Sequence, residues 1–150
     1  MTRLRTLTIA GLILLAFATV GCQRTATEEP SPLGPSTFVL TFALHAEPSL
    51  LLASAERQTS VISATVMENN RPAVGRTVVF SITSGPGEFS DYKIRTQAKT
   101  DFNGVAQIIF VGPTRFEIPD DATTTILAQL VTGTPEVIAK TVDLTILFMK

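Results

Sequence analysis

The chain has 150 residues, with 12 lysines and arginines against 13 aspartates and glutamates, one histidine, one cysteine and no tryptophan. This length is typical of one domain, and the slightly acidic balance argues against nucleic-acid binding, which needs basic patches that replace counterions. A single histidine and a single cysteine also argue against multi-histidine metal sites and histidine-based catalysis.

The first 21 residues are typical of a cleaved leader. Arg3 and Arg5 precede an apolar run over residues 7–20. As a helix, these 14 residues would extend about 21 Å, short of a bilayer core of about 30 Å. We therefore predict a signal peptide over residues 1–21. Its removal leaves 150 − 21 = 129 residues, with 10 basic and 13 acidic side chains and a net charge of about −3.

The leader ends at Thr19-Val20-Gly21-Cys22, which resembles the lipobox of bacterial lipoproteins, with threonine where leucine is usual. By this resemblance Cys22 becomes the acylated first residue of the mature chain, carrying fatty acids such as palmitate. Two or three acyl chains hold a protein stably in a membrane, whereas one holds it marginally. Gln23, in place of the aspartate that retains lipoproteins at the inner membrane, favours the outer membrane. The alternative is a buried free cysteine after an ordinary leader.

Residues 22–37 are expected to form a lipidated tether. Three of the nine prolines lie at positions 30, 32 and 35, and the segment has almost nothing apolar to bury. Proline fixes φ and favours an extended chain, so the 15 residues after Cys22 would span on the order of 45 Å at about 3.1 Å each. We interpret Glu28 and Glu29 as a solvated pair. The tether would set the domain off the membrane and leave it free to rotate.

Alternation of apolar and polar residues begins at Phe38 and runs to the end of the chain, which predicts strands without competing helices. A short apolar run lies at 50–52, and the Asn-Gly pair of Asp101-Phe102-Asn103-Gly104 indicates a hairpin-type turn. About seven short strands separated by Gly, Pro and Asn indicate an all-β, immunoglobulin-like β-sandwich, a single domain over residues 38–150. The predicted strands are 38–45, 61–67, 77–83, 93–100, 105–111, 123–131 and 137–148.

Four motifs in this domain resemble, in order and spacing, the bacterial Ig-like group-one domains of intimin and invasin. The chain departs from that pattern at Glu68-Asn69-Asn70-Arg71, where the family's turn carries glycine, and in the segment 113–122. The resemblance implies an immunoglobulin-like fold and surface exposure. In the family such domains stand in tandem as rigid spacers, whereas this chain has one copy, so adhesion follows only as a hypothesis. The four motifs are Ala64-Thr65-Val66, the run from Pro72 to Ser81, the run from Thr83 to Ser90, and the run from Thr100 to Ala106.

Catalytic chemistry finds little support in the residues. His45 has no second histidine or cysteine beside it to complete a metal set or a triad, so we interpret it as structural or solvated. Asp101 and Asn103 resemble the start of a calcium loop, but the later ligands are missing and a turn explains both. We therefore predict no catalytic residues. The serines considered and set aside, because none has a nucleophile-elbow context or a nearby base, are Ser54, Ser60, Ser63 and Ser90.

One loop deserves a metal hypothesis. Glu117, Asp120 and Asp121 place three carboxylates within five residues, and oxygen-rich loops bind hard cations. A solvated turn is the preferred interpretation, with calcium as the alternative. Phe116 and Phe89 would form a contact patch if both were exposed, and loop anchors if both were buried.

These observations together favour a lipid-anchored, non-enzymatic envelope lipoprotein that displays one Ig-like domain for protein interaction or adhesion. The alternative is a periplasm-facing accessory subunit that docks onto a larger envelope assembly by edge-strand pairing. We expect a membrane contact through the anchor and another envelope or surface protein as partner. We expect no nucleic acid, no small-molecule substrate and no cofactor beyond the covalent lipid on Cys22.

Overall fold

The computed structural model describes residues 39–133, 135 and 137–150, and within these ranges the chain is all-β. The predicted signal peptide, the tether, Cys22 and Phe38 lie outside the described residues. Within the described part, no helix has the length and apolar character needed to cross a membrane.

Ten strands make up the described residues. They are β1 (Leu40–Glu47), β2 (Leu50–Ala53), β3 (Thr59–Glu68), β4 (Arg71–Pro72), β5 (Thr77–Ser84), β6 (Glu88–Phe89), β7 (Arg95–Lys99), β8 (Val105–Val111), β9 (Ala122–Leu130) and β10 (Ile138–Phe148).

The strands form two sheets. The first has the order β1-β3-β8-β6, with β4 paired to β3, and the second has the order β2-β10-β9-β5-β7. All pairs are antiparallel except β2 with β10. Two packed sheets of mainly antiparallel strands, with the chain passing repeatedly between them, are the immunoglobulin-like architecture. The predicted fold class is confirmed.

The core lies where the inner faces of the two sheets meet. Because strand side chains alternate between faces, the period-two pattern of the sequence becomes one buried and one outer face per strand. On β3, the buried apolar set is Ile62, Ala64 and Val66. The largest side chains that are completely buried are three phenylalanines, Phe80 from the second sheet and Phe89 and Phe110 from the first.

The predicted strands are all present, with ends that coincide or differ by one or two residues, and β2, β4 and β6 are additional short strands. One connection was predicted wrongly. The turn at 101–104 does not close a hairpin, because β7 pairs with β5 in the second sheet and β8 pairs with β3 in the first. Asp101 Oδ1 accepts the N–H groups of Asn103 and Val105, both at 2.9 Å, so the turn is local and tight. A tight turn carries the chain across the sandwich as readily as along one sheet.

The turn that lacks the family's glycine is closed by asparagine instead. Asn69 and Asn70 have φ values of 50° and 61°, and they join β3 to β4, with Glu68 paired to Arg71. Asparagine tolerates the left-handed region better than other residues that carry a Cβ. The departure at this turn therefore leaves the local chain reversal intact.

Gly85, within the Ser-Gly-Pro-Gly motif, is required by both backbone conformation and close packing. Its φ is +87°, and a Cβ at this position would lie 2.2 Å from the carbonyl oxygen of Thr123. Gly75 offers a matched comparison, since its φ is +74° and nothing lies within 4 Å of a Cβ there.

We expect Gly85→Ala to destabilise the domain far more than Gly75→Ala. Both changes place a Cβ at positive φ, which costs about 1 kcal/mol or more. Only Gly85→Ala also forces the neighbouring strand apart, adding about 1 to 3 kcal/mol. Chemical denaturation of the two variants measures the difference. Equal losses of unfolding free energy would contradict the close approach of Gly85 to β9.

Candidate functional site

The three carboxylates for which calcium binding was the alternative to a solvated turn do not converge. Glu117 turns to Arg57, whereas Asp121 Oδ1 accepts the backbone N–H of Phe148 at 2.7 Å, and Asp120 is exposed. No group of three or more His, Cys, Asp or Glu is positioned for a metal ion within residues 39–133, 135 and 137–150. The proximity of the three residues in sequence thus does not become a ligand cluster, because two of them bind other parts of the chain.

Arg57 instead organises this end of the sandwich. Its guanidinium donates to Glu88 at 2.6 Å and also to Glu117, so it ties the β2–β3 loop to β6 and to the β8–β9 segment. Thr114 completes the arrangement, since its backbone N–H and its hydroxyl both donate to Glu117 Oε2, at 2.6 and 3.0 Å. The network holds part of the segment 113–122, which departs from the pattern of the Ig-like family.

The charge of Glu117 is stabilised by these contacts. The N–H of Thr114 is the main cause that lowers the pKa of the Glu117 carboxyl below its ordinary value, burial opposes it, and the Thr114 hydroxyl and Arg57 add to the lowering. The Glu117 side chain is 42% exposed, so solvent screens much of the interaction.

This network holds an exposed aromatic residue in place. Phe116, between Arg115 and Glu117, is 77% exposed, and the guanidinium of Arg115 lies 4.9 Å from its ring centroid. The Arg115 N–H also donates to the carbonyl of Ser54, which adds a second attachment for the segment. Phe89, by contrast, is buried in the core at 1% exposure. The two phenylalanines considered together in the sequence therefore have opposite roles, and Phe116 alone is available for contact.

Phe116 lies at the end of the domain opposite the entry of the chain. Val39, the first described residue, is hydrogen-bonded to Asn69, beyond the last residue of β3. Arg57 precedes the first residue of β3, so the strand separates the two ends by about 30 Å at about 3.3 Å per residue. We call the surface formed by Arg115 and Phe116 the distal tip.

The remaining candidate residues are used structurally or lie in solvent. The exposed His45 is 3.2 Å from Glu47 on the same face of β1. Ser54 donates to the carbonyl of Glu56, and Ser63 accepts from Gln107. Ser60 is buried, and its hydroxyl has no hydrogen-bond partner among the described residues. Ser63 is the cross-strand neighbour of His45 in the β1–β3 pairing, but the hydrogen bond given for the histidine goes to Glu47 and that for the serine goes to Gln107.

Two hollows lie on the surface of the described domain. One, of about 180 Å³, borders the Arg57 network, and the other, of about 270 Å³, lies against β5 and β7. Neither is lined by a cysteine, histidine or serine that would serve as a nucleophile or base. The lining residues of the smaller are Arg57, Pro86, Gly87, Glu88, Pro113 and Glu117, and those of the larger are Val79, Asp91, Lys93, Arg95, Thr96 and Gln97.

The edges of the sheets differ in a way that the sequence alone does not show. Edge strands β6 and β2 have two and four residues, and β7 has five with charged, exposed ends at Arg95 and Lys99. The edge strand β1 has eight residues and no lysine, arginine or proline. Strand order, which depends on pairing between distant segments, is needed to find which strands are edges.

No protein-family model matches this chain, and no curated protein matches it in sequence. Solved structures do match its fold. AggA, the major subunit of aggregative adherence fimbriae type I from Escherichia coli, aligns with a TM-score of 0.52 at 10% identity, over 74% of this chain and 96% of that one. The D00-D0 domain of intimin aligns with a TM-score of 0.51 at 18% identity, over 71% of this chain and 47% of that one. This chain thus spans about half of the intimin structure.

We expect acid destabilisation of the domain to depend partly on Glu117. Because the folded state lowers the pKa of this carboxyl, its contribution is present above the unfolded value and is lost as pH falls through the folded value. Glu117→Gln should therefore reduce the loss of unfolding free energy below about pH 4.5 by less than about 1 kcal/mol, and so flatten the fall in melting temperature. Thermal melts at several pH values test this. Asp120→Asn, which removes a carboxylate from the same segment but leaves the network intact, is the control and should not flatten the profile.

Proposed function

We propose that this chain is a lipid-anchored protein of the bacterial cell envelope, attached through Cys22, whose Ig-like domain binds another envelope or surface protein without catalysis. Support for the location comes from the leader and the Thr19-Val20-Gly21-Cys22 motif. The fold similarity to a fimbrial subunit and to intimin agrees with an envelope role. Gln23 favours the outer membrane as the site of attachment.

The distal tip is the observation that carries the binding role. Phenylalanine and arginine are both enriched in protein interfaces relative to the rest of the protein surface. Phe116 is exposed, yet the contacts of Glu117 and Arg115 hold its segment at three points, so little conformational freedom would be lost on binding. The tip also faces away from Val39, where the tether enters.

The tether would give the tip its reach. Fifteen residues between Cys22 and Phe38 span on the order of 45 Å when extended. A domain placed in this way contacts proteins beyond the lipid headgroups, which suits a displayed binding module.

The anchor is tested by metabolic labelling with a radioactive fatty acid. The parent chain should take up label and fractionate with membranes, and Cys22→Ser should lose the label. Retained label in Cys22→Ser would contradict attachment at this residue, and an unlabelled parent chain would contradict lipidation altogether.

The tip is tested by comparing partners that co-purify after mild detergent extraction. Phe116→Ala should weaken capture of the partner by about tenfold or more, as expected for a central interface aromatic. Phe102→Ala is the matched control, because Phe102 is 78% exposed but lies on the turn next to Gly104, at the end where Val39 enters. Equal capture by both variants would remove the distal tip from the proposal.

A second candidate role is a periplasm-facing accessory subunit that docks by edge-strand pairing. The edge strand β1 favours this role, because it has no lysine, arginine or proline that would hinder pairing with another strand. Protease treatment of intact cells separates the two roles, because an outward-facing domain should be digested and a periplasmic one spared.

A further inference from the structure

Strand β1 is a long edge without the features that normally prevent edge-to-edge association. Among the described strands it pairs only with β3, along all eight of its residues. Natural edge strands avoid such pairing when they are short or carry lysine, proline or inward-pointing charges. The other strands that end a sheet, β2, β6 and β7, are short or carry basic residues, whereas on β1 the one acidic residue, Glu47, stands at the end.

The backbone of β1 presents a regular set of N–H and C=O groups that pair with no other described strand. The N–H of Asn69 donates to the carbonyl of Val39, and that of Val66 donates to the carbonyl of Gly104. These two bonds, together with the β1–β3 and β3–β8 registers, show which backbone groups face β3. The N–H and C=O groups of the odd-numbered residues of β1 point towards β3. The even-numbered residues therefore direct their N–H and C=O groups outwards, and these are Leu40, Phe42, Leu44 and Ala46.

The space between β1 and β10 at this side of the sandwich is lined by apolar side chains that remain partly exposed. Leu40 and Leu44 point inwards from β1 but are only partly buried, and so are Ile138 and Val142 on β10. β2 covers β10 only over residues 145–148, so residues 138–144 leave a second uncovered edge across the sandwich from β1. A further strand added to β1 would shield the two leucines from water.

We propose that β1 pairs with β1 of a second copy of this chain, antiparallel, about a twofold axis at Ala43. This register sets Leu40 opposite Ala46 and Phe42 opposite Leu44. All four residues of each copy whose N–H and C=O groups point away from β3 are therefore paired. Each matched residue exchanges an N–H and a C=O bond, giving up to about eight bonds. If the register shifts by two residues in either direction, one of these four residues in each copy has no partner.

The outer face of β1 is compatible with this register. Ala43 meets its own copy across the axis, in a position where the two backbones approach closely, and alanine is small enough to allow it. The exposed His45 faces Thr41, and Glu47 faces Val39. Like charges are therefore not opposite one another, and the surface is self-complementary as a twofold interface requires. The pairing depends neither on the lipid anchor nor on the distal tip.

Site-specific disulfide cross-linking of the full chain in mild detergent tests the proposal. At a non-hydrogen-bonded antiparallel pair the Cα atoms lie about 4.5 Å apart, within the range that a disulfide spans. Ala43→Cys should therefore give an oxidised dimer with copper phenanthroline. Thr41→Cys alone should not, because two copies of residue 41 would be offset by about 14 Å along the strands. A mixture of Thr41→Cys with His45→Cys should cross-link again.

The parent chain, with Cys22 alone, gives the background and reports separately on the anchor. An acylated Cys22 has no free thiol and yields no dimer. If the parent does cross-link, the anchor is wrong, and the strand test is repeated in Cys22→Ser. Failure of Ala43→Cys to exceed Thr41→Cys overturns the pairing, as does cross-linking of Ala43→Cys to a different protein.

Mass measurement supplies a test that does not require an added cysteine. The detergent-extracted parent should show a dimer whose population rises with concentration, and Ala43→Lys should shift it to monomer, because two lysines would meet at the axis. Gln97→Lys, an equivalent change on the exposed face of the β7 edge, should leave the dimer unchanged. A parent that stays monomeric at all concentrations, or an Ala43→Lys dimer, overturns the proposal.

Discussion

Burial of one face of each sheet against the other is the constraint on which the rest of this domain depends. Phe80 comes from the second sheet and Phe110 from the first, and both are completely enclosed. Because strand side chains alternate between faces, the neighbours of every residue that is buried in the core lie on an outer face. The interior thereby leaves three kinds of surface for function, namely the outer faces, the ends and the edges. The observations that bear on binding lie at one end and along one edge.

The two features that matter here are rigid for different reasons. The distal tip is a loop, and loops are ordinarily mobile, but Arg57 and Thr114 both bind Glu117 and thereby hold its neighbour Phe116 in place. The edge is a strand, and its regularity comes from the continuous pairing of β1 with β3. Loss of a surface ion pair would loosen the tip at small cost in stability. The edge of β1 would lose its shape only if the sheet unfolded. A partner that binds this edge therefore meets the same backbone geometry in every folded copy of the domain.

Much of this architecture could be predicted from local pattern. Alternation located the long strands within a few residues, and turn-forming residues marked their ends. What failed depended on pairing between distant segments. The residues 101–104 form the expected tight turn, but nothing local states that β7 and β8 belong to different sheets. The carboxylates of the 117–121 segment are close in sequence, yet Glu117 faces Arg57, 60 residues away. In both cases the deciding partner is remote, and periodicity contains no information about it.

The direction of β1 at its edge has a consequence for where two copies can meet. In an antiparallel pair the two Val39 residues lie about 27 Å apart along the strands, at opposite ends, and the two tips point in opposite directions. Copies tethered to one membrane would then send one tip outwards and the other back towards the lipid. Copies carried by two facing membranes would each keep the tip directed at the opposite surface. If the chain is anchored and pairs through β1 as proposed, strand polarity would link its self-association to the apposition of the surfaces that carry it.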